Sequence, residues 1–322
     1  GTIAVIPAIY GLMPVPGGAL FSAPAVNEEG KRFDLSTNDK NFFNVWFRHI
    51  WFPIYPISST ILIIADLASL NMYLLIMVNS VSFLSMILIG YILLILKIGI
   101  QQRKTSIHSS NTNSNQQKTK KDLSGLRFIF PPLLPLTFSL LEPIGIPLFT
   151  AFTIGVATSI ILLFFLASVP WARFNLFLKQ AITWKLATII IGIMIFRDIF
   201  EVSGVNITIY SLLELFPFSP LIIIILFPLI LGLLTGYLLS GITLSYVLLY
   251  PLFDSINIST VGLVSIVFMS GFVGYLISPI HLCNVLSSEY LKTDTTRMYP
   301  LYIPASIIVL FIQLFFVISI LP

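Results

Sequence analysis

The sequence predicts an all-α integral membrane protein, and three observations predict it. Of 322 residues, 57% are hydrophobic and only 9% charged, with a mean hydropathy of +0.99, against about 45 to 50% apolar and 25% charged for a soluble domain. Apolar runs of about 20 residues, enough for a helix to cross a hydrocarbon core, recur along nearly the whole chain, so one helical membrane domain is expected. Two further apolar stretches, Gly1 to Val26 and Ser259 to Val285, are each broken by glycine and proline.

Gly1 already lies inside an apolar pattern that lacks the basic flank of a signal peptide, so a portion N-terminal to it is expected to be missing. The polar stretch Asn27 to Ile50 follows the first broken segment. Phe52 to Leu70 and Met72 to Leu96 read as spanning helices. The segment from Lys97 to Arg127 carries seven Lys/Arg and one acid around a Ser/Asn/Gln-rich middle that cannot bury a core. By the positive-inside rule it is a cytoplasmic loop. A role for it in binding nucleic acid or anionic lipid is the sharper reading, and a solvated loop that sets topology is the preferred one. Nucleic acid is not an expected partner.

Counting from that loop places Asn27 to Ile50 inside as well. Leu126 to Leu141, short and proline-bearing, and Leu186 to Phe200 are weaker spans. Ile144 to Leu166, Leu221 to Leu239 and Ile303 to Leu321 are strong ones. Trp171 to Lys185 falls inside by the same count and reads as an amphipathic interfacial helix. The single cysteine, Cys283, excludes an internal disulfide and offers no Cys-rich metal site. No metal ligand set and no cofactor is expected.

The two broken segments match one another. Sliding "IAVIPAIYGLMPVPGGALFSAPAV" over "IVFMSGFVGYLISPIHLCNVLSSE" superposes Gly11 on Gly274 and Pro16 on Pro279. Downstream, Pro53 and Tyr55 face Pro300 and Tyr302, after an insertion of sixteen mostly polar residues in the first copy. Chance similarity competes with a repeat, because kinked helices often carry Gly and Pro. An inverted pair of broken helices is the sequence pointer to a secondary transporter with a site near the midplane. The first repeat is expected to end within residues 1–71 and the second to fill 72–322.

The breaks supply candidate site residues. In "MPVPGG", Pro14, Pro16, Gly17 and Gly18 would unwind the helix and expose backbone to a ligand, and Ser22 adds a hydroxyl; the alternative is a kink at a packing contact. In the second break, Ser278, His281 and Asn284 recur every three residues, so a helix resuming there would show all three on one face. A buried structural histidine is the competing reading of His281. Arg197, Asp198 and Glu201 form a charged cluster on an apolar helix and are candidates for ion coupling or gating, against an interfacial helix end with a snorkelling arginine.

"GLMPVPGGALFSAPAV", "NVWFRHIWFPIYP" and "GYLISPIHLCNVLSSEYL" resemble the uncharacterised prokaryotic membrane family catalogued as domain of unknown function 401, grouped with the ion-transporter superfamily. More distantly, the chain resembles carriers for dicarboxylates, citrate, gluconate and arsenite. The resemblance implies an inverted-repeat fold with a re-entrant hairpin and a broken helix in each repeat. It makes Phe227 to Phe253 the second hairpin, with its turn near Thr235, Gly236, Ser240 and Gly241, and it puts the first hairpin before Gly1. Thr235 and Ser240 thereby join the substrate-binding candidates.

The expected function is secondary active transport of a small, anionic organic substrate by alternating access across the cytoplasmic membrane, with Na⁺ or H⁺ as coupling ion and a homodimer left open. A structural or assembly subunit is the alternative. An intramembrane hydrolase, using Ser240 or Ser278 with His281, is a third class. The rhomboid-type Gly-x-Ser-Gly signature is missed at "YLLSG", where Leu238 replaces the first glycine, and there is no His-Glu-x-x-His motif. No enzyme is expected.

Overall fold

The computed structural model describes residues 2–12, 18–106, 134–139, 148–166 and 219–321, with isolated positions between 188 and 203. Every regular element among them is helical. Four helical segments, Met72–Gln101, Leu238–Ser255, Thr260–Tyr290 and Thr295–Ile320, are long and apolar enough to cross a membrane. The chain is thus a helical membrane protein. It forms two compact units, His108–Ile189 and the remainder. The smaller unit contains α6 (Leu134–Ser139) packed on α7 (Leu148–Leu166).

In the larger unit the first broken segment forms α1 (Thr2–Gly11) and α2 (Ala19–Lys31). With 10 and 13 residues, they are about 15 and 20 Å long. Neither alone crosses a core of about 30 Å, and the two pack against one another. Next comes α3 (Thr37–His49), whose N-cap Ser36 accepts the Asp39 N–H at 3.2 Å. All residues from Asn41 to Ile50 are buried. The polar stretch expected to be a cytoplasmic insertion is therefore a core helix. A short helix, α4 (Ser59–Leu67), and the long α5 (Met72–Ser106) follow. The expected span from Phe52 shrinks to the nine residues of α4, because Pro53 and Pro56 interrupt helical hydrogen bonding in the turns before it.

Lys97, expected in a loop, is still inside α5 and pairs with Asp39 of α3 at 2.8 Å. The rest of the expected loop from residue 107, and the interfacial helix Trp171 to Lys185, lie outside the described residues, as does most of Leu186 to Phe200.

The second half of the unit begins with α8 (Pro220–Thr235), which turns at Gly236 into α9 (Leu238–Leu249). Gly236 has φ +57° and its N–H caps the Gly232 carbonyl at 3.0 Å, a left-handed helix end that glycine adopts without a Cβ penalty. The turn expected near Thr235 and Gly236 thus falls there, whereas Ser240 and Gly241, expected in it, lie inside α9. After a 3-10 turn over Tyr250–Ser255 come α10 (Thr260–Ile277), α11 (Leu282–Tyr290) and α12 (Tyr299–Ile320). The second broken segment is again helix, break, helix.

Helix α10 is the hub. Every residue from Val261 to Ile277 is buried, and it packs against α5, α8, α9 and α12. Small residues let its backbone approach α8: a β-carbon on Gly274 would overlap the Leu229 carbonyl, and one on Gly232 would overlap that of Gly271. Close approach of this kind is how helices gain dispersion energy where lipid supplies no hydrophobic drive. Outer helices invert the pattern. Leu74, Met77, Leu84, Leu88 and Ile95 form an exposed stripe along α5, and Ile308, Phe311, Phe315 and Ile318 one along α12. Contiguous apolar stripes of this length are a surface suited to lipid.

Polar groups are kept inside the helix bundle. Asn79 of α5 donates to the Pro53 carbonyl at 3.1 Å and accepts from Ser265 of α10 at 2.7 Å. Gln313 of α12 donates to Ser265 at 2.9 Å and accepts from Ser82 at 2.7 Å. All four side chains are fully buried, and the bonded chain ties three helices together at fixed register.

Candidate functional site

Both breaks lie against the last turn of α3. Arg48 reaches the first: its Nη1 donates to the Tyr10 carbonyl at 2.6 Å, and its guanidinium lies where a β-carbon of Gly18 would be. Only glycine leaves room there for a buried guanidinium. Trp51 and Tyr55 close the same break, donating to the Ala8 carbonyl at 2.9 Å and the Leu12 carbonyl at 2.6 Å. Three carbonyls at the end of α1, where helix geometry leaves acceptors open, are thus satisfied by side chains from one short segment.

His49, the next residue, turns to the second break. Its Nδ1 lies 2.7 Å from the Val45 carbonyl, which makes Nδ1 the donor and leaves Nε2 as the free lone pair. Its ring centroid is 4.8 Å from that of His281, and Tyr275 stacks on His281 at 4.0 Å. The Tyr275 hydroxyl lies 3.5 Å from His49 Nε2.

Further up α3, Asn44 bonds three ways. Its Oδ1 accepts from Ser22 Oγ at 2.6 Å, and its Nδ2 donates to the Ala19 carbonyl at 2.9 Å and to Ser287 Oγ at 2.8 Å. One turn earlier Asn41 donates to Ser288 Oγ at 2.8 Å. These amides join the second halves of the two broken helices, α2 and α11, through α3. The breaks that were matched in sequence are therefore brought to one locus.

The expected site residues that fall among the described residues can now be placed. Gly18 abuts Arg48, and Ser22 is fully buried with its proton given to Asn44. Pro14, Pro16 and Gly17 lie outside the described residues, as do Arg197 and Glu201. Asp198 is a helical, exposed position. In the hairpin, Thr235 is exposed and donates to the Leu231 carbonyl at 2.7 Å, and Ser240 donates to the Tyr237 carbonyl at 3.3 Å. Both shape the turn.

In the second break the expected three-residue face does not form as one helix. Ser278 follows α10 and donates to the Leu233 carbonyl of α8 at 2.7 Å; His281 is the N-cap of α11; Asn284 lies in its first turn. Asn284 folds back to donate to the Leu276 and Ser278 carbonyls at 2.7 and 3.1 Å, capping the end of α10. The hairpin turn sits directly on this break: a β-carbon on Gly236 would lie 3.1 Å from Ser278 Oγ and 3.2 Å from the His281 nitrogen. His281 is 1% exposed, and neither ring nitrogen makes a well-formed hydrogen bond, with the Leu276 carbonyl a nearby backbone acceptor. With Ser278 and Ser240 bonded to carbonyls and His281 bonded to neither, no Ser–His pair exists among these residues.

Arg48, His49, Asn41 and Asn44 were missed as functional candidates because they sit in a stretch that composition assigns to a loop. The available signal was "NFFNVWFRHIWF", in which Asn41, Asn44 and Arg48 each adjoin a phenylalanine.

A family model described as "Protein of unknown function (DUF401)" matches residues 2–319. No curated protein matches the chain.

Proposed function

The chain belongs to the DUF401 family, and with that as premise we propose that it is a secondary active transporter for a small organic anion. In this reading it is a multi-pass protein of the cytoplasmic membrane that works by alternating access, driven by a Na⁺ or H⁺ gradient. The observation that carries the reading is that consecutive residues of one buried helix, Arg48 and His49, reach the two different breaks.

The chemistry supports an anion. Arg48 is 2% exposed and always charged. The second halves of both broken helices, α2 and α11, begin at these breaks, and a helix N-terminus carries partial positive charge and unused N–H groups. A fixed cation and two helix N-termini at one locus favour a carboxylate over a cation. Backbone interrupted in the bilayer is tolerated where protein or a cavity covers it. The turn of the α8–α9 hairpin lies over the second break, and a hairpin that lifts away would open the site to one side of the membrane.

The test is uptake by proteoliposomes containing the full-length protein, with a panel of mono-, di- and tricarboxylates and imposed Na⁺ or H⁺ gradients. Gradient-dependent uptake, lost in Arg48→Met and partly kept in Arg48→Lys, is the expected result. Absence of uptake and of counterflow across the panel, with protein shown to be folded and inserted, sinks the proposal.

A further inference from the structure

We infer that His49, His281 and Cys283 form a binding site for a thiophilic transition-metal ion of the Zn²⁺ class, bridging α3 to the second break. Their potential ligand atoms all lie within 4.8 Å of one another, and all three residues are buried. In a zinc site, bonds of about 2.0 to 2.3 Å to N and S bring donor atoms closer together than that. A rotamer adjustment of about 1 Å per side chain therefore closes the set on an ion.

The second observation is His281 itself. A buried imidazole ordinarily satisfies at least its N–H, yet at 1% exposure neither nitrogen of His281 makes a well-formed hydrogen bond, and the Leu276 carbonyl is a nearby backbone acceptor for one of them. Its ring faces His49, whose Nδ1 is held by the Val45 carbonyl. That hydrogen bond fixes the tautomer that presents Nε2, the arrangement by which metal-binding histidines are oriented from behind. Nearby, the Tyr275 hydroxyl lies 3.5 Å from His49 Nε2.

Two imidazoles and one thiol select for borderline-soft ions. Mg²⁺ and Ca²⁺ require oxygen ligands, and no carboxylate belongs to this set. On binding, the Cys283 S–H bond breaks, sulfur donates its electron pair to the ion, and one proton leaves to solvent. The resulting thiolate offsets part of the repulsion between the ion and Arg48. The inference does not depend on the transport reading, because occupancy is read in the absence of any substrate.

Cys283 is the only cysteine in the chain, which makes the test direct. Full-length protein in detergent, with any affinity tag removed and metals stripped by chelator, is titrated anaerobically with Co²⁺. The expected result is one Co²⁺ per chain with a thiolate-to-cobalt charge-transfer band, displaced by Zn²⁺ and unaffected by Mg²⁺ or Ca²⁺. Cys283→Ser abolishes the band, and His281→Asn and His49→Asn each weaken affinity by at least about 10-fold. Metal-free thermal unfolding of each variant separates loss of a ligand from loss of the fold. If folded wild-type protein gives no charge-transfer band, or if stoichiometric Co²⁺ binding survives unchanged in both Cys283→Ser and His281→Asn, the inference is overturned.

Discussion

Replacing Asn44 by alanine isolates the joint that holds the two broken helices to α3. The substitution deletes three hydrogen bonds, to Ser22 at 2.6 Å, the Ala19 carbonyl at 2.9 Å and Ser287 at 2.8 Å, and leaves little room for water to replace them. Side-chain hydrogen bonds between membrane helices average about 0.6 kcal/mol each, so their loss amounts to about 2 kcal/mol. Ser22 retains a fallback acceptor, the Ala19 carbonyl at 3.2 Å, which keeps the cost from growing through an orphaned hydroxyl. About 2 kcal/mol is roughly a 30-fold change in the folding equilibrium. The assay is equilibrium unfolding of purified protein in mixed micelles with a denaturing detergent, followed by circular dichroism. In the cycle with Ser22→Ala, the double variant is expected to cost less than the sum of the singles by about 0.6 kcal/mol, because one shared bond is removed only once. A cost for Asn44→Ala below about 0.5 kcal/mol would refute the argument, since surface substitutions already scatter that widely.

Other expectations rest on different contacts. Gly236→Ala forces a β-carbon into a left-handed turn at φ +57° and to 2.7 Å from Ile280 Cγ1; a loss of at least about 1 kcal/mol is expected, and in the uptake assay it lowers the rate more than any hairpin surface variant. Gln313→Leu removes the bonds to Ser82, Ser265 and the Val78 carbonyl, with about 1 to 2 kcal/mol lost in the same unfolding assay. Lys97→Met breaks the pair with Asp39, whose side chains are 32% and 12% exposed; the effect stays below about 1 kcal/mol and shrinks as salt is raised.

The sequence made the breaks and the hairpin legible for a local reason. Glycine and proline within apolar runs, at Gly11, Gly236 and Pro279, announce interrupted helices without knowledge of any distant partner. Helix α3 was illegible for the opposite reason. Its Asn41 and Asn44 are at home in the core with Ser288 and Ser287 opposite them, 247 and 243 residues away, and with Ser22 and the Ala19 carbonyl of α2 on Asn44. Read alone, "TNDKNFFNVWFRH" is a polar insertion. In the same way, Phe52 to Leu70 carries enough apolar residues for a span, but Pro53 and Pro56 decide where α4 starts. Cys283 and His281 are two residues apart and visible, whereas the third member of their cluster, His49, belongs to a helix that composition hides.

The separation between Asn41 and Ser288 also sets a timetable. At about 5 to 20 residues per second of synthesis, the 247 residues between them take roughly 12 to 50 seconds to make. Throughout that interval the ribosome has already delivered a helix too polar to enter lipid unaided, and its matching hydroxyls do not yet exist. Helix α3 must wait at the membrane surface or in the insertion machinery until α11 emerges. Assembly of the locus therefore follows synthesis of α11, and a chain halted before residue 282 lacks the hydroxyl that Asn41 meets.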